Sequence, residues 1–94
     1  MELYEYVGNL HNHTPYSDGT LYHKDMAQAA TQAGLDFLII TDHNVWVAGM
    51  EGYYDFKDGR NILVLTGEEI HNLDRKPEGS HLLVYNANSE LNTL

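Results

Sequence analysis

The stretch Ala33-Gly34-Leu35-Asp36-Phe37-Leu38-Ile39-Ile40-Thr41-Asp42-His43-Asn44 decides the fold class of this chain. Gly34 suits the C′ position of a helix, where a left-handed backbone closes the last turn, and Leu35 can cover the helix end in a Schellman-type close. Residues 37–40 are apolar without a break, as in a parallel strand buried on both faces. Asp42 and His43 follow immediately. A helix end, a buried strand and a polar strand terminus in succession form the repeating unit of an α/β protein.

Upstream, Met26, Ala29, Ala30 and Ala33 fall at i, i+3, i+4 and i+7, so residues 21–33 read as a helix. Residues 4–10 are aromatic and branched and read as a first strand ending at Asn9-Leu10-His11, followed by a polar loop over 13–20. Downstream, residues 49–57 read as a second helix, Asp58-Gly59 as a turn and residues 62–65 as a third strand. The last apolar run, Leu82-Leu83-Val84-Tyr85, breaks this alternation. Only residues 72–80, which include the turn formers Asp74, Pro77 and Gly79, separate it from His71. A parallel crossover needs a dozen or more residues, so this run is expected to turn back antiparallel to the third strand, as a hairpin or arm. The tail over 86–94 is polar and shows no pattern.

Ninety-four residues, 43% apolar and 20% charged, make one small domain with room for one core. The chain has no repeat or low-complexity segment. It has no cysteine, so there is no disulfide framework and any metal must be held by nitrogen and oxygen. No apolar run approaches a membrane span and the N-terminus lacks the pattern of a signal peptide; a cytoplasmic protein with no membrane partner is expected. The net charge is −9, and five basic residues cannot form the broad positive patch of a non-specific nucleic-acid binder. An acidic, histidine-rich chain can still attract an anion if bound divalent cations reverse the local field.

Polar residues of ligand type sit at the strand ends. His11 and His13 follow the first strand, Asp42 and His43 the second, and Glu68 and Glu69 the third. In α/β barrels the loops after the strands gather at one face, which holds the chemistry. His81 stands at the start of its run, yet an antiparallel run would bring that start beside the end of strand three.

The run His11-Asn12-His13-Thr14-Pro15-Tyr16-Ser17-Asp18-Gly19-Thr20-Leu21 resembles the first motif of the PHP (polymerase and histidinol phosphatase) superfamily, and Ala33 to Asn44 resembles its second. Gly67-Glu68-Glu69-Ile70 resembles the third, and His81-Leu82-Leu83 an element that often follows it. The resemblance implies the N-terminal part of a distorted (β/α)7-type barrel holding up to three divalent metals, zinc, manganese or iron. It implies that His11 and His13 bind one metal, that Glu69 bridges it to a second bound by His81, and that Asp18 and His43 bind the third. Asp42 would orient or polarise a neighbouring ligand. The implied activity is hydrolysis of a small-molecule, nucleotide or nucleic-acid-end phosphoester by a metal-bound hydroxide. Alternatives are an aryl-ester or carbamate hydrolase of the same superfamily, or a metal-stabilised fragment inactive on its own.

The chain departs from the family pattern in lacking the further histidine or cysteine and the Asp-x-His pair that late strands supply. Residues 1–94 are therefore read as a single partial domain that needs a missing C-terminal segment or a second chain to complete the barrel. His71 shares a strand face with Glu69 and is read as a hydrogen-bonded strand-end residue, His23 as an exposed residue of the first helical turn, and Trp46 as packing.

Overall fold

The structure is a computed structural model and describes residues 3–70 and 82–85. Among these residues a mixed sheet of five strands carries one helix. In chain order these are β1 (Gly8–Asn12), α1 (His23–Gln32), β2 (Phe37–His43), β3 (Gly52–Asp55), β4 (Asn61–Ile70) and β5 (Leu82–Tyr85). The strand order is β1-β2-β4-β3, with β5 also paired to β4. β1, β2 and β4 are parallel, and β2 meets β4 in unbroken register from Phe37 opposite Leu63 to His43 opposite Glu69. The described residues form one mixed α/β sheet, in line with the α/β class expected from the sequence. No helix among them is long and apolar enough to cross a membrane.

α1 ends as its sequence dictates. Ala33 is the C-cap, Gly34 takes φ 84°, the Leu35 amide donates to the Ala30 carbonyl and the Gly34 amide to that of Thr31, which is the Schellman pair of bonds. The buried stripe of the helix is His23, Ala27, Ala30 and Thr31, with Met26 half-buried, while Ala29 and Ala33 are exposed. The expected apolar stripe was thus rotated by part of a turn, and His23, expected to be exposed, is its first buried member. Alanine at four positions between 26 and 33 left the phase poorly marked. The core lies between this stripe and one face of the sheet: Ala27 and Ala30 pack with Leu38, Ile40, Ile62 and Val64, and Met26, Leu35, Tyr54 and Phe56 close its edges.

The helix expected over residues 49–57 is instead an edge strand. β3 pairs antiparallel with the first half of β4, from Gly52 opposite Val64 to Asp55 opposite Asn61. Burial alternates along it, with Gly52 and Tyr54 partly covered and Tyr53 and Asp55 exposed. Two adjacent tyrosines favour a pleated surface, and the Asp58-Gly59 turn closes the hairpin through Phe56 N–H to Arg60 O, 2.9 Å, and Gly59 N–H to Phe56 O, 3.0 Å. β5 pairs antiparallel with the second half of β4, Ile70 opposite Leu82 and Gly67 opposite Tyr85, as the short connection required.

The two sheet faces differ. Even-numbered residues of β2 and β4 face α1; Phe37, Ile39, Leu63 and Leu65 face the other way, where no helix among the described residues covers them and Leu65 is 39% exposed. This face carries an open concavity of ≈ 800 Å³ lined by Tyr6, Phe37, Tyr53, Leu63 and Leu65 together with Asp36, Asp55 and Asn61. It lies toward the N-terminal ends of the parallel strands, away from their polar C-terminal ends.

Candidate metal centre

Strand pleat sets the first part of the site. His43 and Glu69 are register partners on the uncovered face, one spacing above Thr41 and Gly67. The Asn44 amide donates to the Glu69 carbonyl at 2.9 Å, and there the chain leaves the sheet with φ 52°, a left-handed conformation that asparagine tolerates better than most residues.

β1 contributes through a bulge. Asn9 opposes Leu38 and Asn12 opposes Ile40, so Leu10 and His11 together face Ile39. The extra residue re-aims the strand end. The Asn12 amide group donates to the Ile39 carbonyl at 3.1 Å and holds the bulge against β2.

The loop after β1 is folded by Asp42. Its carboxylate accepts from the Thr14 amide at 2.6 Å, the Thr14 hydroxyl at 2.7 Å and the Ser17 hydroxyl at 2.6 Å, and both Asp42 and Thr14 are buried. The Thr14 carbonyl accepts from the Ser17 and Gly19 amides, and a Cβ at Gly19 would collide with the His13 backbone. The motif's threonine, serine and glycine are therefore the scaffold that presents His13 and Asp18.

These pieces bring His11, His13, Asp18, His43 and Glu69 together in a ring of alternating imidazoles and carboxylates. His13 Nδ1 lies 2.9 Å from Asp18 Oδ1, Asp18 Oδ2 lies 3.0 Å from His43 Nε2, and His43 Nδ1 lies 2.7 Å from Glu69 Oε2. Glu69 Oε1 closes the ring toward His13 Nε2 at 3.4 Å and also contacts His11 Nε2. Two sets of donor atoms are close enough to share an ion: His11 with His13 and Glu69, and His13 with Asp18 and His43. Glu69 is 5% exposed. Its burial pushes the carboxyl pKa up, but the His11 contact and the charges of His43, His13 and His11 outweigh it and hold the group below the usual range.

The donor set suits a divalent metal. His13 Nε2 is buried and makes no hydrogen bond among the described residues, yet it faces a carboxylate oxygen. Both carboxylates meet imidazoles, nitrogen donors that zinc, manganese and iron accept. A carboxylate on the far ring nitrogen, as Asp18 is on His13, fixes a ligand's tautomer.

Asp42 does not join the ring. It sits on the helix-facing side of β2 and organises the loop. Glu68, its register partner on β4, is fully buried on that same side, so Glu69 is the glutamate on the ring's face. Trp46 is half-buried and does not line the concavity. His71 and His81 lie outside the described residues, as do the 72–80 connection and the 86–94 tail. Sequence reasoning missed His23 and Tyr85. His23 is 1% exposed with neither ring nitrogen hydrogen-bonded among the described residues, and burial lowers its pKa against the opposing pull of Asp42 and Glu51. Tyr85 donates from its hydroxyl to the Leu10 carbonyl at 2.8 Å, a contact across the sheet that strand patterning alone could not reveal.

The DNA polymerase/3'-5' exonuclease PolX of Bacillus subtilis (strain 168) is 35% identical over 52 residues, which are 55% of this chain and 9% of that protein. The matched region thus spans less than a tenth of that relative. No solved structure matches the chain. The family model of the PHP domain matches residues 9–92, a span that holds every residue of the ring, and the chain belongs to the PHP domain family.

Proposed function

We propose that this chain supplies part of a metal-dependent hydrolase centre acting on phosphoesters. The observation that carries the reading is the convergence of five ligand-type side chains, from β1, its loop, β2 and β4, on one ring at the strand ends. His11, His13 and Glu69 hold one ion, and Asp18 and His43 hold another. His81 completes the set next to Glu69 in this proposal, on family resemblance alone. Bound divalent ions would supply an activated water and neutralise the phosphoryl oxygens. The chain's own residues position those ions: Glu69 spans both sides of the ring, Asp18 orients His13, and Asp42 holds the loop without touching the reacting atoms.

The substrate class we propose is a nucleotide, a nucleic-acid end or a small phosphorylated metabolite. The exonuclease named among the relatives supports the nucleic-acid end. The uncovered face around Leu65 and Tyr53 supports completion of the barrel by further polypeptide, in the same chain or in trans. Turnover of a generic phosphodiester by the completed protein should require added metal and stop with chelator. Hydrolysis unaffected by chelation, or confined to an aryl carboxylic ester, would contradict the proposal.

A further inference from the structure

Tyr85 stands opposite Gly67, so its ring lies on the uncovered face beside the glycine. Its hydroxyl nevertheless reaches the carbonyl of Leu10 in β1, with β4 and β2 in between. Three strand spacings in a flat sheet are about 14 Å, longer than a tyrosine side chain. The contact exists because the sheet curls at this level, and it ties the two sides of the curl together.

What lies under the ring explains the glycine. A Cβ on Gly67 would sit 2.8 Å from the Val84 carbonyl oxygen, 2.9 Å from Thr41 Cγ2 and 3.1 Å from Tyr85 Cδ1. Thr41, the register partner of Gly67, is fully buried in this layer. The layer Thr41, Gly67, Tyr85 is one pleat below the layer His43, Glu69, Leu83. The Leu10 carbonyl that Tyr85 holds belongs to the peptide leading into His11.

We infer that Tyr85 is a strut across the floor of the metal centre that fixes the β1 bulge, making it a positioning residue for His11 and His13 toward Glu69. The inference rests on the proposed metal centre for its consequence, but not for its geometry. A merely structural tyrosine would contribute to folding and leave the arrangement of the imidazoles unchanged.

The test uses the full chain, with cobalt(II) as the probe. Tyr85→Phe keeps the ring and removes one hydrogen bond, so cobalt affinity should weaken about threefold to tenfold and the cobalt absorption spectrum should change. Gly67→Ala should have at least as large an effect by lifting the ring, and Tyr53→Phe, at an exposed tyrosine on the same face, should have none. In the metal-free protein the imidazole 1H–15N shifts of His11 and His13 should move in Tyr85→Phe. If wild-type protein takes up no cobalt, the proposed centre fails while the imidazole shifts still decide on the strut. Wild-type binding with unchanged affinity, spectrum and shifts in a folded Tyr85→Phe protein overturns the inference, and that variant suffices should Gly67→Ala not fold.

Discussion

Asp42 and His43 are neighbours in sequence and face opposite sides of β2, and the difference in their partners follows from the pleat. His43 turns to Asp18 and Glu69 on the uncovered face, while Asp42 turns inward to Thr14 and Ser17. Asp42→Asn replaces an anionic acceptor of three hydrogen bonds by a neutral group with only one oxygen. It should destabilise the fold by about 2–3 kcal/mol in urea titrations and weaken metal binding, while leaving the five ring residues unaltered in kind. His23 calls for a different experiment. Burial lowers its pKa, so it is neutral in the fold at pH values where the unfolded chain, with an ordinary value near 6.5, takes up a proton. Its contribution to stability is complete above about pH 6.5 and is lost as pH falls toward the lowered folded value. His23→Leu should flatten the fall in stability between pH 7.5 and 5.5, by no more than about 1.4 kcal/mol per pH unit. An identical slope in the variant would show that His23 is not the group responsible. His11, His13, Asp18, His43 and Glu69 were legible because they sit at strand ends inside spaced motifs. His23 was not, since a run of alanines hides which face of α1 is buried.

Among the elements, the strand β2 and the close of α1 were readable because an unbroken apolar run and a Gly-Leu pair each admit few structures. β3 was misread because its alternation covers only four residues, and the inward pair of Gly52 and Tyr54 is too short a pattern to outweigh a helical reading. The direction of β5 was legible from the length of its connection, while the reach of Tyr85 depends on sheet curvature that no local pattern encodes. The hairpin makes a testable element. Tyr54 faces the core edge and its hydroxyl donates to the Met50 carbonyl at 2.6 Å. Tyr54→Ala should cost about 2–4 kcal/mol of stability and speed amide exchange along β3, whereas the exposed Tyr53→Ala should cost well under 1 kcal/mol. Equal effects at the two positions would contradict the register.

At the scale of the whole fold, α1 is the helix on one face of the sheet, no helix among the described residues lies on the other, and the polar ring crowns that second face. The residues that complete the site and those that cover Leu65 and Phe37 belong, on our proposal, to one wall of the barrel. The 94-residue chain by itself is therefore expected to show little or no hydrolysis, and adding the completing segment should raise metal occupancy and turnover together. Robust metal-dependent turnover by the isolated monomer would contradict that. The central claim, that five residues form one metal centre, is tested most directly by anomalous diffraction at the manganese or zinc edge from metal-soaked crystals. The expected result is anomalous density within coordination distance of His11, His13 and Glu69, and a second peak at Asp18 and His43. Full metal loading with no anomalous density at that ring, or density only at other carboxylates, would contradict the account.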